Sequence, residues 1–338
     1  HAAFQRFPDP PTGSDVMPQL EALYQRNSKG VQPYFPLEQF SWHPFPVYMP
    51  LHWLPVGLGY WLHIDVRWVG VLFLATACAV WGYHTWGINR YGARILAVCL
   101  PALGTLGYLL FAMPDMSVSF EFIVAAYYLL LALGLYYGSQ FWIVAGIITC
   151  LLSRYTLLFW LPLMAIIMWR GGARRHAYIA VGTVVLAVLV LYVLPFYARN
   201  PSILADGVKY HNHCYKAFWE GQGDPNATLV YEKGLNFAYY TRSYLSGSIE
   251  ERLGKARMIQ GALMIVLMVA GIWLQNKWKG KMHYAHLGLG MLYAFILVFF
   301  MSSPFTFVYY YICLTMLSAV LCAAIILQSP TRKAQNRL

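Results

Sequence analysis

The sequence predicts an all-α, multi-pass membrane protein. Of its 338 residues, 59% are hydrophobic and only 11% are charged, a composition too apolar for a soluble domain. Apolar stretches that approach the roughly 20 residues needed to cross ~30 Å of hydrocarbon recur between Val66 and Leu327. Because these stretches do not alternate with period two, they indicate helices rather than a membrane barrel.

Nine apolar stretches are predicted to be transmembrane helices. With a cytoplasmic C-terminus, nine crossings place His1 outside, so we expect a further helix before it, for about ten in total. The predicted helices are Val66–Trp86, Ile95–Met113, Phe120–Tyr137, Phe141–Leu152, Tyr155–Trp169, Ala177–Pro195, Met258–Gln275, Tyr284–Ser302 and Phe305–Leu327.

Three consecutive crossings between Phe120 and Trp169 are shorter than a full span. Their turns are predicted at residues 138–140 on the inner side and at Ser153 and Arg154 on the outer side. A single long helix over residues 141–169 is the alternative, but it would move a cluster of arginines to the outside. Short helices would leave Arg154 slightly below the outer surface.

The distribution of charge predicts the orientation. The loops assigned to one face contain no Asp or Glu, which makes that face cytoplasmic by the positive-inside rule. This asymmetry accounts for the formal net charge of +11 without a nucleic-acid partner, since no basic run is long enough to follow a phosphate backbone. The cations of these loops are Arg90, Arg94, Arg170, Arg174, Arg175, Lys277, Lys279, Lys281, Arg332, Lys333 and Arg337.

The chain therefore divides into five regions. Residues 1–65 and 196–257 are external segments predicted to form a small cap over the bundle. Residues 66–195 and 258–327 contain the first and last sets of helices, and residues 328–338 form a cytoplasmic tail. Five of the six cysteines lie in apolar stretches, so we expect no disulfide framework and no cysteine metal site.

Candidate functional residues are concentrated in the external segments. Asp15 precedes an amphipathic stretch, where it is either a helix-capping residue or a chemical group. The run HPFPVYMPLHW at residues 43–53 is extended by its prolines and contains Tyr48 and His52. His211 and His213 alternate without a neighbouring carboxylate, so no metal site is predicted.

Several of these features resemble membrane glycosyltransferases of the GT-C superfamily, particularly the polyprenyl-phosphate-sugar-dependent mannosyl- and arabinosyltransferase-like group. The matching features are the early Asp15, the aromatic and proline-rich run 43–53, the basic turn SRYT at 153–156, the LPF at 194–196 that opens an external loop, and the three tyrosines 309–311.

The resemblance implies a GT-C-like fold and an inverting transfer of a sugar from a polyprenyl-phosphate donor to a glycan, lipid or protein acceptor on the external face. No cofactor is implied. Asp15 would be the general base, with Asp9 as the alternative because Val16 stands where some members have Glu. The residues expected to bind substrate are Arg154, Lys209, His211, His213, Arg242, Tyr48 and His52.

Other interpretations remain open at the level of sequence. Arg154 could instead pair with Glu121 or extend its side chain to the membrane surface. A transporter or lipid flippase is an alternative function, although such proteins usually carry ionisable groups in mid-membrane. A non-catalytic subunit of a membrane complex is a third. The predicted helices contain almost no interior charge, which favours the enzyme.

Overall fold

The computed structural model describes residues 16–40, 43–87, 91–117, 119–221 and 236–328; for residue 111 and residues 113–117 it describes the backbone alone. All regular elements in these ranges are helices. They are α1 (Val16–Ser28), α2 (Pro50–Trp53), α3 (Val56–Leu62), α4 (Arg67–Trp86), α5 (Tyr91–Ser117), α6 (Glu121–Tyr137), α7 (Gln140–Leu151), α8 (Leu161–Arg170), α9 (Arg174–Val188), α10 (Ile203–Glu220), α11 (Ala238–Tyr244), α12 (Ile249–Lys277), α13 (Tyr284–Ser302) and α14 (Ile312–Gln328).

Six helical stretches in the described residues are long and apolar enough to cross a membrane. This finding indicates a membrane protein, as the composition predicts. Three shorter apolar helices, α6, α7 and α8, occupy the positions of the predicted short crossings. The six stretches are Arg67–Trp86, Tyr91–Leu110, Arg174–Tyr197, Ile249–Lys277, Tyr284–Ser302 and Val308–Leu327.

Helix α6 is the centre of the bundle. It packs against α4, α7, α13 and α14, and nearly all of its side chains are buried. Its 17 residues span about 25 Å at 1.5 Å per residue. We call the end of the bundle where α6 begins the Glu121 end and the opposite one the Gly138 end. The two sites described below lie at these two ends of α6.

Two glycines allow α6 and α7 to pack backbone against backbone. A Cβ atom at Gly134 would lie 2.5 Å from the backbone nitrogen of Ile143, and one at Gly146 would lie 2.5 Å from Cα of Leu131. The turn between the helices uses Gly138, whose φ of 67° is left-handed and suits glycine. The two helices thus form a tight antiparallel hairpin.

The chain reverses again after α7, at the predicted outer turn. Helix α7 ends at Leu151, and Arg154 is extended and caps a 3₁₀ turn, Tyr155–Phe159, that leads into α8. Because Arg170 at the end of α8 lines the same groove as Gly138, α8 returns to the Gly138 end. The single long helix over residues 141–169 is therefore wrong for this structure.

Three predicted boundaries require correction. Helix α12 begins at Ile249 rather than Met258, because a capping box between Ser248 and Glu251 starts it well before the apolar stretch. The predicted span 155–169 is divided between the 3₁₀ turn and α8. The last helix is preceded by irregular chain and a 3₁₀ turn, Val308–Tyr311, so α14 begins only at Ile312.

The first external segment packs on the Glu121 end through its aromatic residues. The hydroxyl of Tyr34 donates to the carbonyl of Tyr48 at 2.9 Å, and the indole of Trp53 donates to the Tyr34 hydroxyl at 3.2 Å. Leu51 donates its backbone N–H to the carbonyl of Leu152 at the end of α7 (2.8 Å). The bond from Leu51 holds the proline-rich run against the end of α7, and the other two hold it against Tyr34.

The second external segment contacts both the first segment and the bundle. Gln32 donates to the carbonyl of Phe196 at 2.8 Å, and Asn200 donates to the carbonyl of Tyr34 at 3.2 Å. Farther along, the buried indole of Trp219 donates to the carbonyl of Pro304 (2.9 Å). The described parts of the two segments therefore meet at the Glu121 end.

Candidate functional site at the Glu121 end

The site is built around a buried ion pair between Glu121 and Arg154. Glu121 is the first residue of α6 and is 0% exposed. Arg154 lies in the turn after α7, and its side chain is 15% exposed. Its guanidinium donates to Oε1 of Glu121. The antiparallel hairpin of α6 and α7 brings these residues together, although they are 33 positions apart.

His52 approaches the same carboxylate from the first external segment. Its Nε2 atom lies 4.0 Å from Oε1 of Glu121, and its side chain is fully buried. Burial, and after it the positive charge of Arg154, hold the pKa of His52 well below its usual value. The ring is therefore neutral. It can accept or donate a proton in hydrogen bonds, but it does not compete with Arg154 for the carboxylate charge.

Several buried polar atoms at this point have no hydrogen-bond partner among the described residues. They are both ring nitrogens of His52, Oε2 of Glu121 and Nε of Arg154. Unsatisfied buried polar atoms are costly, and a group of them at one point is unusual. Such a group is typical of a place where water or a polar ligand binds.

Tyrosines form the wall beside Arg154. The guanidinium carbon of Arg154 lies 4.2 Å from the centre of the Tyr310 ring, a cation–π contact. The ring of Tyr309 lies 4.8 Å from that of Tyr310, and the ring of Tyr48 lies tilted beside that of His52, with 5.2 Å between ring centres. The site is thus a cation and a neutral imidazole within an aromatic wall.

Helix α10 adds a second imidazole, that of His211, and α12 adds a second cation, Arg257. The Tyr155 hydroxyl lies 3.4 Å from Nε2 of His211, whose ring stacks on Tyr215 at 5.7 Å. The guanidinium of Arg257 lies over the ring of Tyr215, with its carbon 5.3 Å from the ring centre. Burial, then Arg257 and Arg154, lower the pKa of His211 to about 4. Both arginines therefore act on the same imidazole.

Arg257 also indicates the level of this site relative to lipid. Between Arg257 and Lys277, α12 contains no charged residue. Those 20 positions span about 30 Å of helix, which matches the thickness of the hydrocarbon core. Arg257 therefore lies where one boundary of the hydrocarbon is expected, at the level of lipid headgroups.

The structure brings together four of the predicted substrate-binding residues and separates the others. Tyr48, His52, Arg154 and His211 surround the site. Lys209 and His213 are exposed and, two positions to either side of His211 on α10, point away from the face it presents. Arg242 lies in α11, where its carbonyl accepts a hydrogen bond from Arg252.

The predicted catalytic Asp15, and its alternative Asp9, lie outside the described residues. The division of the site into a base and a phosphate-binding group thus remains a prediction. In the described ranges, no group of three or more His, Cys, Asp or Glu side chains is arranged to hold a metal ion.

Sequence reasoning missed Tyr155, Tyr215 and Arg257 as parts of the site, and it considered Glu121 only as a partner for Arg154. One signal was available for Glu121, since an ionisable residue next to an apolar stretch is a candidate functional residue by default. The sequence also offers a signal for Arg257, because it is the last charged residue before the uncharged stretch of α12.

The fold and the site define a helical membrane protein with a partly buried cationic and aromatic cluster at one end of its bundle. No protein-family model matches the sequence, and no curated protein matches it.

Proposed function

We propose that the protein is a membrane glycosyltransferase that moves a sugar from a polyprenyl-phosphate donor to an acceptor at the Glu121 end. The observation that carries this proposal is the position of two arginines, Arg154 and Arg257, around His211 at the expected level of lipid headgroups. A phosphate attached to a lipid is found at that level, and guanidinium groups bind phosphate through paired N–H donors.

Arg154 can bind a phosphate without leaving Glu121. A guanidinium has five N–H donors, and the Nε donor of Arg154 has no partner among the described residues. Glu121 fixes the side chain, and Tyr310 covers one face of it. Because 15% of the Arg154 side chain is exposed, the guanidinium held in this orientation can donate to a phosphate group that reaches the site.

In the proposed reaction, Asp15 accepts the proton of an acceptor hydroxyl while that oxygen bonds to the anomeric carbon of the sugar. The bond from that carbon to the phosphate oxygen breaks, and its electron pair leaves with the polyprenyl phosphate. Attack opposite the leaving group inverts the anomeric configuration. Arg154 and Arg257 stabilise the charge that develops on the departing phosphate.

Glu121 is not the proposed base, although it is the carboxylate that the described residues place at the site. Its charge is already opposed by Arg154, and full burial restricts the access of an acceptor hydroxyl to it. Its proposed role is to position Arg154.

The proposal is tested by transfer assays on the reconstituted chain with a panel of polyprenyl-phosphate hexoses and pentoses. Asp15→Asn should lower the transfer rate by roughly 10² to 10⁴, the usual contribution of a general base, with Asp9→Asn as the matched control. Arg154→Ala should instead raise the donor concentration needed for half-maximal rate. Full transfer by Asp15→Asn together with loss in Asp9→Asn would assign the base to Asp9, and activity unaffected by all three changes would refute the mechanism.

One observation favours a lipid flippase as the second candidate. The pairing of Arg154 with Glu121, one of the alternatives left open by the sequence, is buried beside a histidine at the end of the central helix α6, and buried ionisable groups are common in transporters. The chain reconstituted in lipid vesicles distinguishes the two functions. A flippase would move a fluorescent polyprenyl phosphate between leaflets without any sugar transfer, whereas the proposed enzyme requires an acceptor.

A further inference from the structure

A groove opens at the Gly138 end of the bundle, one α6 length away from the Glu121 site. It has a volume of about 1530 Å³. Its walls come from three connections that are distant in sequence: the α6–α7 turn, the loop from α8 to α9, and the loop from α12 to α13. The groove is therefore a product of the folded bundle and not of one flexible loop.

The groove is strongly basic. Arg170, Arg174, Lys279 and Lys281 line it, and no Asp or Glu is among its lining residues. None of these four cations forms an ion pair within the part of the chain that the structure describes. Their positive charge is thus uncompensated by the protein itself.

Neutral contacts hold two of the cations in place. Nη1 of Arg170 donates to Oδ1 of Asn276 at 3.1 Å, and the guanidinium of Arg174 lies 5.5 Å from the ring centre of Trp169. Neither contact neutralises the arginine. A guanidinium oriented in this way keeps N–H donors for an anionic ligand.

Two helix N-termini add to the positive potential. Helix α9 begins at Arg174 and α13 begins at Tyr284, and both residues line the groove. The first backbone N–H groups of a helix lack partners in the helix and favour anions; at α13 the N–H of Ala285 donates to the His283 side chain, and the other N-terminal groups remain. The side chains and these helix ends therefore act in the same direction.

The positive-inside rule alone does not account for this arrangement. That rule concerns how many Lys and Arg residues lie on one face of the membrane, and it is met equally well by cations spread over separate loops. Here cations more than 100 positions apart surround one concave space. Arg175 and Lys277 are close in sequence to Arg174 and Lys279 and carry the same charge, but they do not line it.

We propose that this groove binds a phosphate group. Its size admits either the headgroup of an anionic phospholipid or a free phosphorylated compound, and the recognition chemistry is the same for both: guanidinium and ammonium donors around phosphate oxygens. This binding is separate from the transfer proposed for the Glu121 end and does not depend on it.

The test compares two double variants of the whole 338-residue chain. Arg174→Gln with Lys279→Gln removes two groove cations, and Arg175→Gln with Lys277→Gln removes two neighbouring exposed cations outside the groove. Each protein is reconstituted in phosphatidylcholine nanodiscs. One arm adds phosphatidylglycerol and counts retained lipid by native mass spectrometry; the other titrates inorganic pyrophosphate and measures binding by calorimetry.

Each cation near a phosphate surface contributes about fivefold to affinity. Binding should therefore be weaker by at least about tenfold in the groove variant and by no more than about twofold in the control variant. Phosphatidylglycerol retention without pyrophosphate binding assigns the site to a lipid, and the converse assigns it to a soluble phosphate. Equal losses in both variants, no loss in either, or no binding of either probe by the wild type would overturn the proposal. Matching elution volumes and circular dichroism spectra exclude misfolding as the cause.

Discussion

At the scale of single residues, the Glu121–Arg154 pair places two charges where little water reaches them. Moving two charges out of water carries a penalty of several kcal/mol for each ion, which only a close partner offsets. Glu121 is completely enclosed, whereas Arg154 keeps a small exposed fraction. The carboxylate therefore depends on the arginine more than the arginine depends on the carboxylate.

We predict from this asymmetry that Arg154→Met destabilises the protein more than Glu121→Leu does. Removing one partner of a buried pair costs about 3–5 kcal/mol, and the stranded Glu121 has no route to solvent. The double variant should lose less than the sum of the two single changes, because neither ion is then left alone. Chemical unfolding in micelles measures all three.

An exposed ion pair provides the control for this experiment. Lys216 and Glu250 pair between α10 and α12, with 42% and 62% of their side chains exposed. Replacing both by glutamine should change stability little, since water solvates either ion when its partner is gone. An additive loss in the Glu121 and Arg154 double variant would show that the two residues do not act as a pair.

At the scale of elements, the α6–α7 hairpin packs backbone against backbone. We predict that Gly146→Ala and Gly134→Ala each destabilise the protein by about 1–3 kcal/mol, because the added methyl group meets the backbone of the facing helix. Gly182→Ala in α9 is the matched control, since its Cβ would meet nothing within 4 Å. Chemical unfolding compares the three, and a Gly146→Ala variant as stable as Gly182→Ala would contradict this packing.

The elements also show how far the sequence could be interpreted. Tyr284–Ser302 is predicted with its observed bounds, because an uninterrupted apolar stretch between polar turns leaves little choice. The beginning of α12 is missed, although Ser248 and Glu251 have the spacing of a capping box. Hydropathy does not detect a helix that continues beyond the apolar stretch into polar sequence.

The contacts of the site were less accessible to sequence reasoning. The position of Arg154 at a turn predicts it as a site residue, and its pairing with Glu121 is one of the alternatives that the sequence allows. The approach of His52 to Glu121, and of Arg257 to Tyr215, depends on how separate segments pack. No local pattern specifies such contacts, and they require the folded bundle.

At the scale of the whole molecule, the described loops sort into two groups. Both external segments meet at the Glu121 end, and the basic loops around Arg174 and Lys279 lie at the Gly138 end. This sorting agrees with the alternation of helices that the charge distribution predicts. Which end faces the cytoplasm remains a prediction.

We predict that cysteines introduced as Arg174→Cys and Lys279→Cys, in a background without the native cysteines, are shielded from an impermeant thiol reagent in intact cells. Asp224→Cys, which lies outside the described residues but within the second external segment, should be labelled. The reagent should not reach Arg174→Cys and Lys279→Cys because loops rich in Lys and Arg stay on the cytoplasmic side. Labelling at Arg174→Cys in sealed cells would reverse the orientation.

The length of α12 couples the Glu121 site to the thickness of the bilayer. This helix has 29 residues and is about 43 Å long, and its uncharged part ends at Arg257. A thicker bilayer would draw Arg257 towards the hydrocarbon, and the helix would have to tilt or the lipid to thin around it. Because Arg257 stacks on Tyr215 and faces His211, the acyl-chain length of the surrounding lipid would then set the distance between the two arginines.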